Sequence, residues 1–477
     1  MFSMRASRCL LPILLLLAIP AGSSAITFVN RVTHYPPGEP PYTTVEDVAL
    51  DSTTWNAANG PYVVEATVTI MAGSTLAIEP GTQVWGAELG ALHIYGTLNA
   101  NQVQFSTYGS QGFWRGIYFA PTAGASILNN CQIADSGGVG YCYYGCRGLG
   151  YFHEGDKYAA IYIDDCNPTI TNNTISNPYG HAIQIWGGSP TITGNTMTAI
   201  KPGYAAIHYE NTGIFPVISG NSAEGTGYIG VLVPQGTIGT SGTWTIAGDT
   251  MPYLLNGVIT IAAGQTLTVE PGAMVKAVHE VVGIQALGVL KAEGTSAKPI
   301  TFTTAKATPG EGDWIGIYVG PDSGATSIQK CHILHSDGVG YCYYGCRGHN
   351  IGNAMDKFAA IYVDGSSPTI TDNLITKIFG SGIQIWGGTP TITGNTITDV
   401  RPEQAAIRYD NTNIFPVIHS NTGSGTGLVG VVIPPGTVST NGTWTIAGDT
   451  LPYFLAGTVT IASGKTLTVE PGAVVKA

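Results

Sequence analysis

The sequence predicts an all-β fold in which the chain winds into a parallel β-helix, a solenoid of stacked coils. Two copies of YCYYGCRG begin at Tyr141 and Tyr341, and the spacing between them defines a long period. A shorter period separates PTITNNTI at Pro168 from PTITGNTM at Pro190. Fixed periods of this kind indicate structural units that stack on their neighbours.

The composition supports a fold without long helices. Charged residues make up 10% of the chain, whereas about 25% is usual in a globular domain. An amphipathic surface helix needs a charged face, and no such segment follows the N-terminal region. The net charge of −11 is thinly spread, so a nucleic-acid partner, which requires a basic patch, is not expected.

Residues 1–25 read as a secretory signal peptide. Two arginines precede the apolar run Leu10–Ile19, and small residues at Ser23–Ala25 form a cleavage site. The apolar run is too short to span a bilayer, and no later segment is a candidate membrane span. We therefore expect a secreted protein that is extracellular or displayed at the cell surface.

Each short period is a strand with alternating apolar residues that ends in Asn or Asp beside glycine. Alternation with β-branched residues is typical of strands, and inward side chains of coils about 4.8 Å apart would touch. We therefore expect Ile170, Ile192, Ile218 and Ile246 to stack in one apolar row.

The asparagines at the strand ends should form a second row at the turn, with amides hydrogen-bonded along the axis. A β-sandwich would also give many short strands, but it would not explain why one residue type returns on successive circuits. The predicted ladder residues are Asn173, Asn195 and Asn221 in the first copy, and Asn373, Asn395 and Asn421 in the second.

Several phrases resemble bacterial exported proteins with a right-handed parallel β-helix, whose architecture is pectate-lyase-like. They are LTVEPGAMVKA at Leu267, GVLKAEGTSAKPITFTT at Gly288, WIGIYV at Trp314 and AAIYVDGSSPTITDN at Ala359. The resemblance covers essentially the whole mature chain and implies a right-handed coil. It specifies an activity poorly, because such proteins include enzymes and surface proteins of unknown role.

The repeat also sets the domain boundaries. A solenoid exposes strand edges and core at an open end, and no polar cap is visible near Ala477. We expect the native chain to extend further or to dock there, for example by end-to-end self-association. The predicted segments are 1–25, signal peptide; 26–51, N-terminal cap or arm; 52–241, unit one; 242–441, unit two; and 442–477, the start of a third unit.

Each unit contains more residues between two turns than one circuit needs. The excess at Ser136–Lys157, matched at Ser336–Lys357, predicts a loop that leaves the coil, where function often concentrates. Tyrosine faces suit sugars and arginine can hold a carboxylate; alternatively, the tyrosines pack against the coil. The candidate ligand-binding residues are Tyr141, Tyr143, Tyr144, Arg147, Asp156 and Lys157, with Tyr341, Tyr343, Tyr344, Arg347, Asp356 and Lys357.

Cysteines at fixed spacing in an exported chain suggest disulfides. A pair between Cys131 and Cys166 would leave Cys331 without a partner, because Ser366 stands where Cys166 would recur. A metal site is the alternative, but C-x3-C is not a standard zinc spacing, so we predict none. The predicted pairs are Cys142 with Cys146, Cys342 with Cys346, and Cys131 with Cys166.

Acidic residues on neighbouring circuits form a second candidate site. Carboxylates on adjacent coils can hold calcium, and a basic residue beside them can abstract a proton, as in polysaccharide lyases. Their loose spacing favours ordinary solvated turns instead, and no cofactor other than calcium is suggested. The candidate catalytic residues are Asp164, Lys201 and Glu210, with Asp364, Arg401 and Asp410.

The duplication favours a structural or adhesive rod over an enzyme, because a rod gains from repeated binding sites. The sequence therefore predicts an exported β-helix protein that binds an extracellular polysaccharide or glycan through its stapled loops. A polysaccharide lyase or glycoside hydrolase is the first alternative. Ice binding is another, because Thr169 and Thr171 lie one circuit from Thr191 and Thr193 and could form a flat threonine ladder.

Overall fold

The computed structural model describes residues 31–34, 42–45, 48–109, 112–141, 147–149, 157–248, 250–336, 338–341, 347–348, 357–448 and 451–477. Over these ranges the chain is a parallel β-helix, so the predicted fold class is confirmed. Successive coils pair strand on strand and build three stacks of strands, which we call I, II and III. In each coil, a strand of stack III is followed by one of stack II and then by one of stack I. The predicted signal peptide lies outside the described residues.

Helical structure is minimal in the described part of the chain. It comprises the 3₁₀ turn Ala57–Asn59, which Asn56 caps by accepting a hydrogen bond from the Asn59 N–H at 3.0 Å. In the described ranges, we find no helix with the length and apolar character needed to cross a bilayer.

Stack II supplies the predicted apolar row. Ile170 pairs in register with Ile192, and Ile192 pairs with Ile218, and all three side chains are fully buried. A buried tryptophan opens the row in each unit, at Trp55 and at Trp244. The strands are Thr53–Trp55, Thr75–Ile78, Thr97–Asn101, Ile127–Asn129, Thr169–Thr171, Thr191–Thr193, Val217–Ser219, Gly242–Trp244, Thr266–Val269, Val289–Glu293, Ser327–Gln329, Thr369–Thr371, Thr391–Thr393, Val417–His419, Gly442–Trp444 and Leu467–Val469.

The fourth predicted member, Ile246, does not continue the row, and that prediction is wrong. The Thr245 hydroxyl takes the place of a strand partner, since it donates to the Ile218 carbonyl at 2.6 Å. Ile246 is half-buried, and its N–H donates to the Glu270 carboxylate at 3.1 Å. The row is interrupted because the segment that lies on Ile218 at the boundary between the two units contains no strand.

The asparagine ladder lies at the corner between stacks II and I. The backbone N–H and Nδ2 of Asn173 both donate to Oδ1 of Asn195 at 2.9 Å, and Asn195 donates in the same way to Asn221 at 2.9 and 3.0 Å. All three amides are buried. Buried polar groups need partners, so each coil is held above one particular coil, as predicted. Asn373, Asn395 and Asn421 repeat the ladder.

Stack I follows the ladder corner. Its first strand, Arg31–His34, is antiparallel to the second, and every later pairing is parallel. The strands are Arg31–His34, Tyr42–Val45, Tyr62–Val64, Gln83–Gly86, Gln104–Thr107, Gln132–Ala134, Thr174–Ser176, Thr196–Ile200, Ser222–Gly225, Met274–Ala277, Ile300–Thr304, Cys331–Leu334, Leu374–Thr376, Thr396–Val400, Thr422–Gly425, Tyr453–Leu455 and Val475–Lys476.

Stack III follows stack I and carries the longest strands. Two of them, Tyr228–Ile238 and Tyr253–Ile261, extend around a corner at the junction of the units. The strands are Val48–Leu50, Thr67–Ile70, Ala91–Ile94, Gly116–Phe119, Lys157–Ile163, His181–Ile185, Ala205–Tyr209, Tyr228–Ile238, Tyr253–Ile261, Gly283–Ala286, Gly316–Val319, Lys357–Val363, Ser381–Ile385, Ala405–Tyr409, Leu428–Ile433, Gly436–Val438 and Val459–Ile461.

The stacks change partners at this junction. Val231 pairs with Ile207 in stack III of unit one, and it also pairs with Tyr253, whose strand leads into stack I of unit two. The described part of residues 245–252 contains no strand and lies where the ladder ends, with Asn221 Nδ2 donating to the Ala247 carbonyl at 3.2 Å. Stack I of unit two therefore lies over stack III of unit one, whereas Thr245, next to the stack II strand Gly242–Trp244, still bonds to Ile218 of stack II.

Removal of one ladder amide should destabilise the fold. Asn195→Ala removes the acceptor of the Asn173 backbone N–H and of one N–H of its side-chain amide, and we expect it to lower the free energy of unfolding by about 2–4 kcal/mol. Urea unfolding followed by circular dichroism measures this difference.

The matched control is Asn99→Ala, because Asn99 is exposed on a stack II strand. We expect the control to change the free energy of unfolding by less than about 0.5 kcal/mol. Equal destabilisation by the two variants would contradict the role assigned to the ladder.

Candidate functional site

The predicted loop leaves the coil as an antiparallel ribbon. Val139–Tyr141 pairs with Arg147–Leu149 and with the start of Lys157–Ile163, and the register sets Tyr141 opposite both Arg147 and Lys157. Tyr341, Arg347 and Lys357 repeat this register. We call each set of paired strands a ribbon. Tyr143, Tyr144, Asp156, Cys142, Cys146, Tyr343, Tyr344, Asp356, Cys342 and Cys346 lie outside the described residues.

An exposed aromatic ring lies at the base of the first ribbon, at the corner between stacks I and III. The Tyr179 N–H donates to the Ser136 carbonyl at 2.8 Å, which places Tyr179 beside the ribbon. The ring of Tyr179 is 40% exposed, stacks on Phe113 with centroids 4.5 Å apart, and lies 5.4 Å from Nζ of Lys201. A cation over an aromatic face is attracted by the ring quadrupole.

The second ribbon has the same base with different residues. The Phe379 N–H donates to the Ser336 carbonyl at 2.9 Å, and the Phe379 ring is 41% exposed. The guanidinium of Arg401 lies 4.6 Å from the ring centroid and pairs with Glu311 at 3.1 Å. Each ribbon therefore rises beside an aromatic ring that carries a cation.

The predicted carboxylates follow the stack III strands and therefore lie at the end of these strands that is opposite to the ribbons. Asp164 is buried and accepts a hydrogen bond from the Tyr118 hydroxyl at 2.7 Å. Glu210 accepts a hydrogen bond from the Gln184 amide, and its carboxylate lies 3.1 Å from Nδ1 of His208. These acids are built into the sheet face and are not solvated turn residues.

Unit two repeats the arrangement of acids. Asp364 accepts a hydrogen bond from Tyr318 at 2.6 Å, and Asp410 accepts two from the Gln384 amide at 2.8 and 2.9 Å. The tyrosine–aspartate pair is thus a property of the repeated unit.

The predicted catalytic cluster does not form. Lys201 precedes the strand Ala205–Tyr209, whereas Glu210 follows it; a five-residue strand separates its two ends by about 16 Å. The prediction was wrong because sequence spacing does not show which end of a strand a residue occupies. Arg401 and Asp410 are separated in the same way by Ala405–Tyr409.

A metal site requires several ligand side chains close together. In the part of the chain that the structure describes, no group of three or more His, Cys, Asp or Glu side chains could hold a metal ion. The two carboxylates of unit one, Asp164 and Glu210, lie two coils apart with Trp186 at the intervening position. Calcium binding stays a prediction.

A row of polar and aromatic side chains on the outer face of stack III was missed by the sequence reasoning. Its members pair in register and are all buried. The signal was available, because three of the five recur in the second copy at the spacing of the YCYYGCRG repeat. The row in unit one is His93, Tyr118, Tyr162, Gln184 and His208.

His93 opens this row and is held neutral. Burial, together with the nearby charge of Arg115, lowers the pKa of the imidazole from 6.5 to about 4. Its ring lies 5.0 Å from the ring of Tyr118. In unit two the equivalent position, next to Tyr318, is Gln285, which carries no titratable proton.

The three described cysteines are free thiols, so the predicted disulfide between Cys131 and Cys166 is wrong. Cys131 lies at the corner between stacks II and I, whereas Cys166 lies at the corner between stacks III and II, so a whole strand separates them. Burial raises the pKa of Cys131 to about 11, and those of Cys166 and Cys331 to about 12.

The predicted threonine ladder is present but short. Thr169 pairs with Thr191, and Thr171 pairs with Thr193, on the outer face of stack II. On the next coil these columns continue as Val217 and a serine. A flat threonine array is therefore only two coils deep in unit one.

Comparison with known families matches most of the coil. The model of the right handed beta helix region matches residues 115–243 and 315–445, which together are more than half of the chain. The model of the pectate-lyase like beta helix domain matches residues 237–351. No curated protein and no solved structure matches the chain.

Replacement of His93 should reduce the sensitivity of the fold to acid. The unfolded imidazole takes up a proton below pH 6.5 and the folded one only near pH 4, so the fold keeps its full stability above pH 6.5 and loses stability as pH drops. We expect His93→Gln to recover up to about 3 kcal/mol at pH 4. Urea unfolding at pH 4 and pH 7 tests this, and parallel losses in both proteins would contradict it.

The three buried thiols should resist alkylation. Because the thiolate is the reactive form and these pKa values lie at about 11 or 12, we expect no modification by iodoacetamide at pH 8. Unfolding without reductant should expose all three to the reagent. Peptide mass spectrometry measures both states, and recovery of Cys131 and Cys166 in one disulfide-linked peptide would contradict the structure.

Proposed function

The chain belongs to the right-handed β-helix family, and we propose that it is an exported, non-catalytic member that binds extracellular carbohydrate at its two ribbons. The observation that supports this proposal is the repeated register. In both copies a tyrosine lies directly opposite an arginine and a lysine on neighbouring strands. The resemblance seen in the sequence is confirmed at the level of the family.

The chemistry at the base of each ribbon suits a sugar. A pyranose presents an apolar C–H face that packs on aromatic rings, and its hydroxyl and carboxylate groups bond to charged donors. Tyr179 and Phe379 provide exposed rings, and Lys201 and Arg401 provide the donors. These cations lie beside the ribbons, not beside the buried acids, which favours binding over proton abstraction.

The duplication fits a structural or adhesive rod. Two binding ribbons on one rigid coil let a single molecule hold two polymer chains at once. The signal-like residues 1–25 support export, so we place the protein outside the cell or at its surface. An extracellular polysaccharide or cell-surface glycan is the partner that this setting offers.

A polysaccharide lyase is the second candidate, and one observation favours it. Residues 237–351 match a pectate-lyase like beta helix domain, and a tyrosine hydroxyl bonded to a buried aspartate recurs in both units, at Tyr118 and Tyr318. Such a pair can move a proton. This function would act through stack III and not through the ribbons.

Glycan-array binding by the full chain tests the proposal. We expect the double variant Arg147→Ala, Arg347→Ala to bind the recognised glycan at least about tenfold more weakly, because each substitution removes a charge-assisted contact. The control is Lys377→Gln, an exposed lysine between strands of stacks I and III, which should bind as the parent does.

A depolymerisation assay on the glycans that bind separates the two candidates. Non-catalytic binding predicts no new reducing ends and no unsaturated products. Release of such products by the parent chain, lost in Asp164→Asn with Asp364→Asn, would establish the lyase and overturn our proposal.

A further inference from the structure

The junction of the two units leaves a cleft of about 560 Å³ in the wall of the coil. We call it the junction cleft. Ile246 and Pro252 line it from the strandless segment, and Met274, Lys276 and Lys298 line it from the next coils. It shares no residue with the ribbons or with the row His93, Tyr118, Tyr162, Gln184 and His208 on the outer face of stack III.

The cleft arises from the change of strand partners. The ladder of unit one ends on the Ala247 carbonyl, and the chain then crosses to Tyr253 without a strand, through Pro252. Proline lacks the N–H that a stacked strand would donate. Because one coil lacks a strand at this position, the wall has a recess one coil deep.

The same recess recurs where the third copy begins. A cleft of about 550 Å³ is lined by Ile446, Pro452, Val474 and Lys476, each of which is the repeat counterpart of a residue that lines the junction cleft. The recess is therefore a feature of the repeated unit and not an accident of one loop.

The junction cleft gathers two lysines that have no acidic partner among the described residues. Neither Lys276 nor Lys298 forms an ion pair within those ranges, whereas Lys306 pairs with Asp313 at 2.8 Å and Lys330 with Asp372 at 3.2 Å. Charged residues are only 10% of this acidic chain. The Glu270 carboxylate accepts a hydrogen bond from the Ile246 N–H beside this cleft, so the two ammonium groups leave a net positive charge that favours an anion.

The remaining walls suit a sugar that carries the anion. Thr250 and Thr301 bring hydroxyl groups, and Met274 and Pro299 bring apolar surface, to the same cleft. Small-molecule sites combine apolar walls with a few fixed polar groups in this way. A free inorganic anion would use only the lysines and leave the rest of the cleft unfilled.

We propose that the junction cleft is a second carbohydrate site, which takes a saccharide bearing a carboxylate or sulfate group. Lys276 and Lys298 hold the anionic group, and the threonines bond the sugar hydroxyls. Pro299 also lines a further cleft of about 540 Å³ with Lys330 and His332. An oligosaccharide can therefore continue from the junction cleft across Pro299 into this second cleft. The site goes beyond the proposed function, because it uses other residues and requires a charged sugar.

Isothermal titration with three defined oligosaccharides tests the site: an oligogalacturonate, a sulfated dextran oligomer and uncharged dextran. We expect one or both anionic probes to bind the full chain, and Lys276→Gln with Lys298→Gln to weaken that binding by about tenfold per lysine. The affinity for the uncharged probe should be the same for the parent chain and for this variant. The anionic probe that binds more tightly identifies the carboxylate or the sulfate as the ligand.

The matched control is Lys291→Gln, an exposed lysine on stack II with no ion pair in the described ranges. Equal loss in the control, or full binding by the double variant, would overturn the proposal. An unchanged urea midpoint shows that the variant is folded, since these lysines lie at the surface.

The ribbon variant Arg147→Ala, Arg347→Ala is titrated in parallel and should keep the component of anionic binding that Lys276→Gln with Lys298→Gln removes. Loss of anionic binding in the ribbon variant alone would overturn the junction site and support the ribbons. Loss in the lysine variant alone supports the junction site, whatever the glycan array shows for the ribbons.

Discussion

The buried asparagine ladder is the constraint on which the other features of this coil depend. At buried positions, Asn195 accepts two hydrogen bonds from Asn173 on the coil before it and donates two to Asn221 on the coil after it. A slip of one residue would turn every inward side chain outward and would leave these donors unpaired. The ladder therefore fixes the register that aligns the isoleucine row and the outer face of stack III.

The two copies show which parts of the unit are interchangeable. The Ala205 N–H bonds to the His181 imidazole at 2.8 Å, and the Ala405 N–H bonds to the Ser381 hydroxyl at 3.1 Å. Different side chains thus supply the same acceptor, so the structural requirement is the acceptor and not the imidazole. The ribbon tyrosine, arginine and lysine are unchanged between the copies, which is expected where a ligand needs those side chains themselves.

Periodicity in the sequence was sufficient to predict the fold, since residues one short period apart became vertical neighbours in the ladder and in the apolar row. It was insufficient for the site, because periodicity locates a residue on a coil but not the end of the strand at which it lies. Lys201 and Glu210 were grouped for this reason, although a whole strand separates them. The prediction that Ile246 continues the apolar row was wrong for a different reason. The long repeat gives no sign of the boundary between the units, where the strands change partners.

That change of partners also determines the direction in which each binding element points. The strand Tyr228–Ile238 belongs to stack III of unit one, yet it leads into stack I of unit two. The corner that carries the second ribbon is thereby moved to a different side of the rod from the first. A straight polymer that runs along the axis meets one ribbon and bypasses the other. If the ribbons bind polymers as we propose, simultaneous occupancy joins two separate chains, and the molecule would cross-link a matrix.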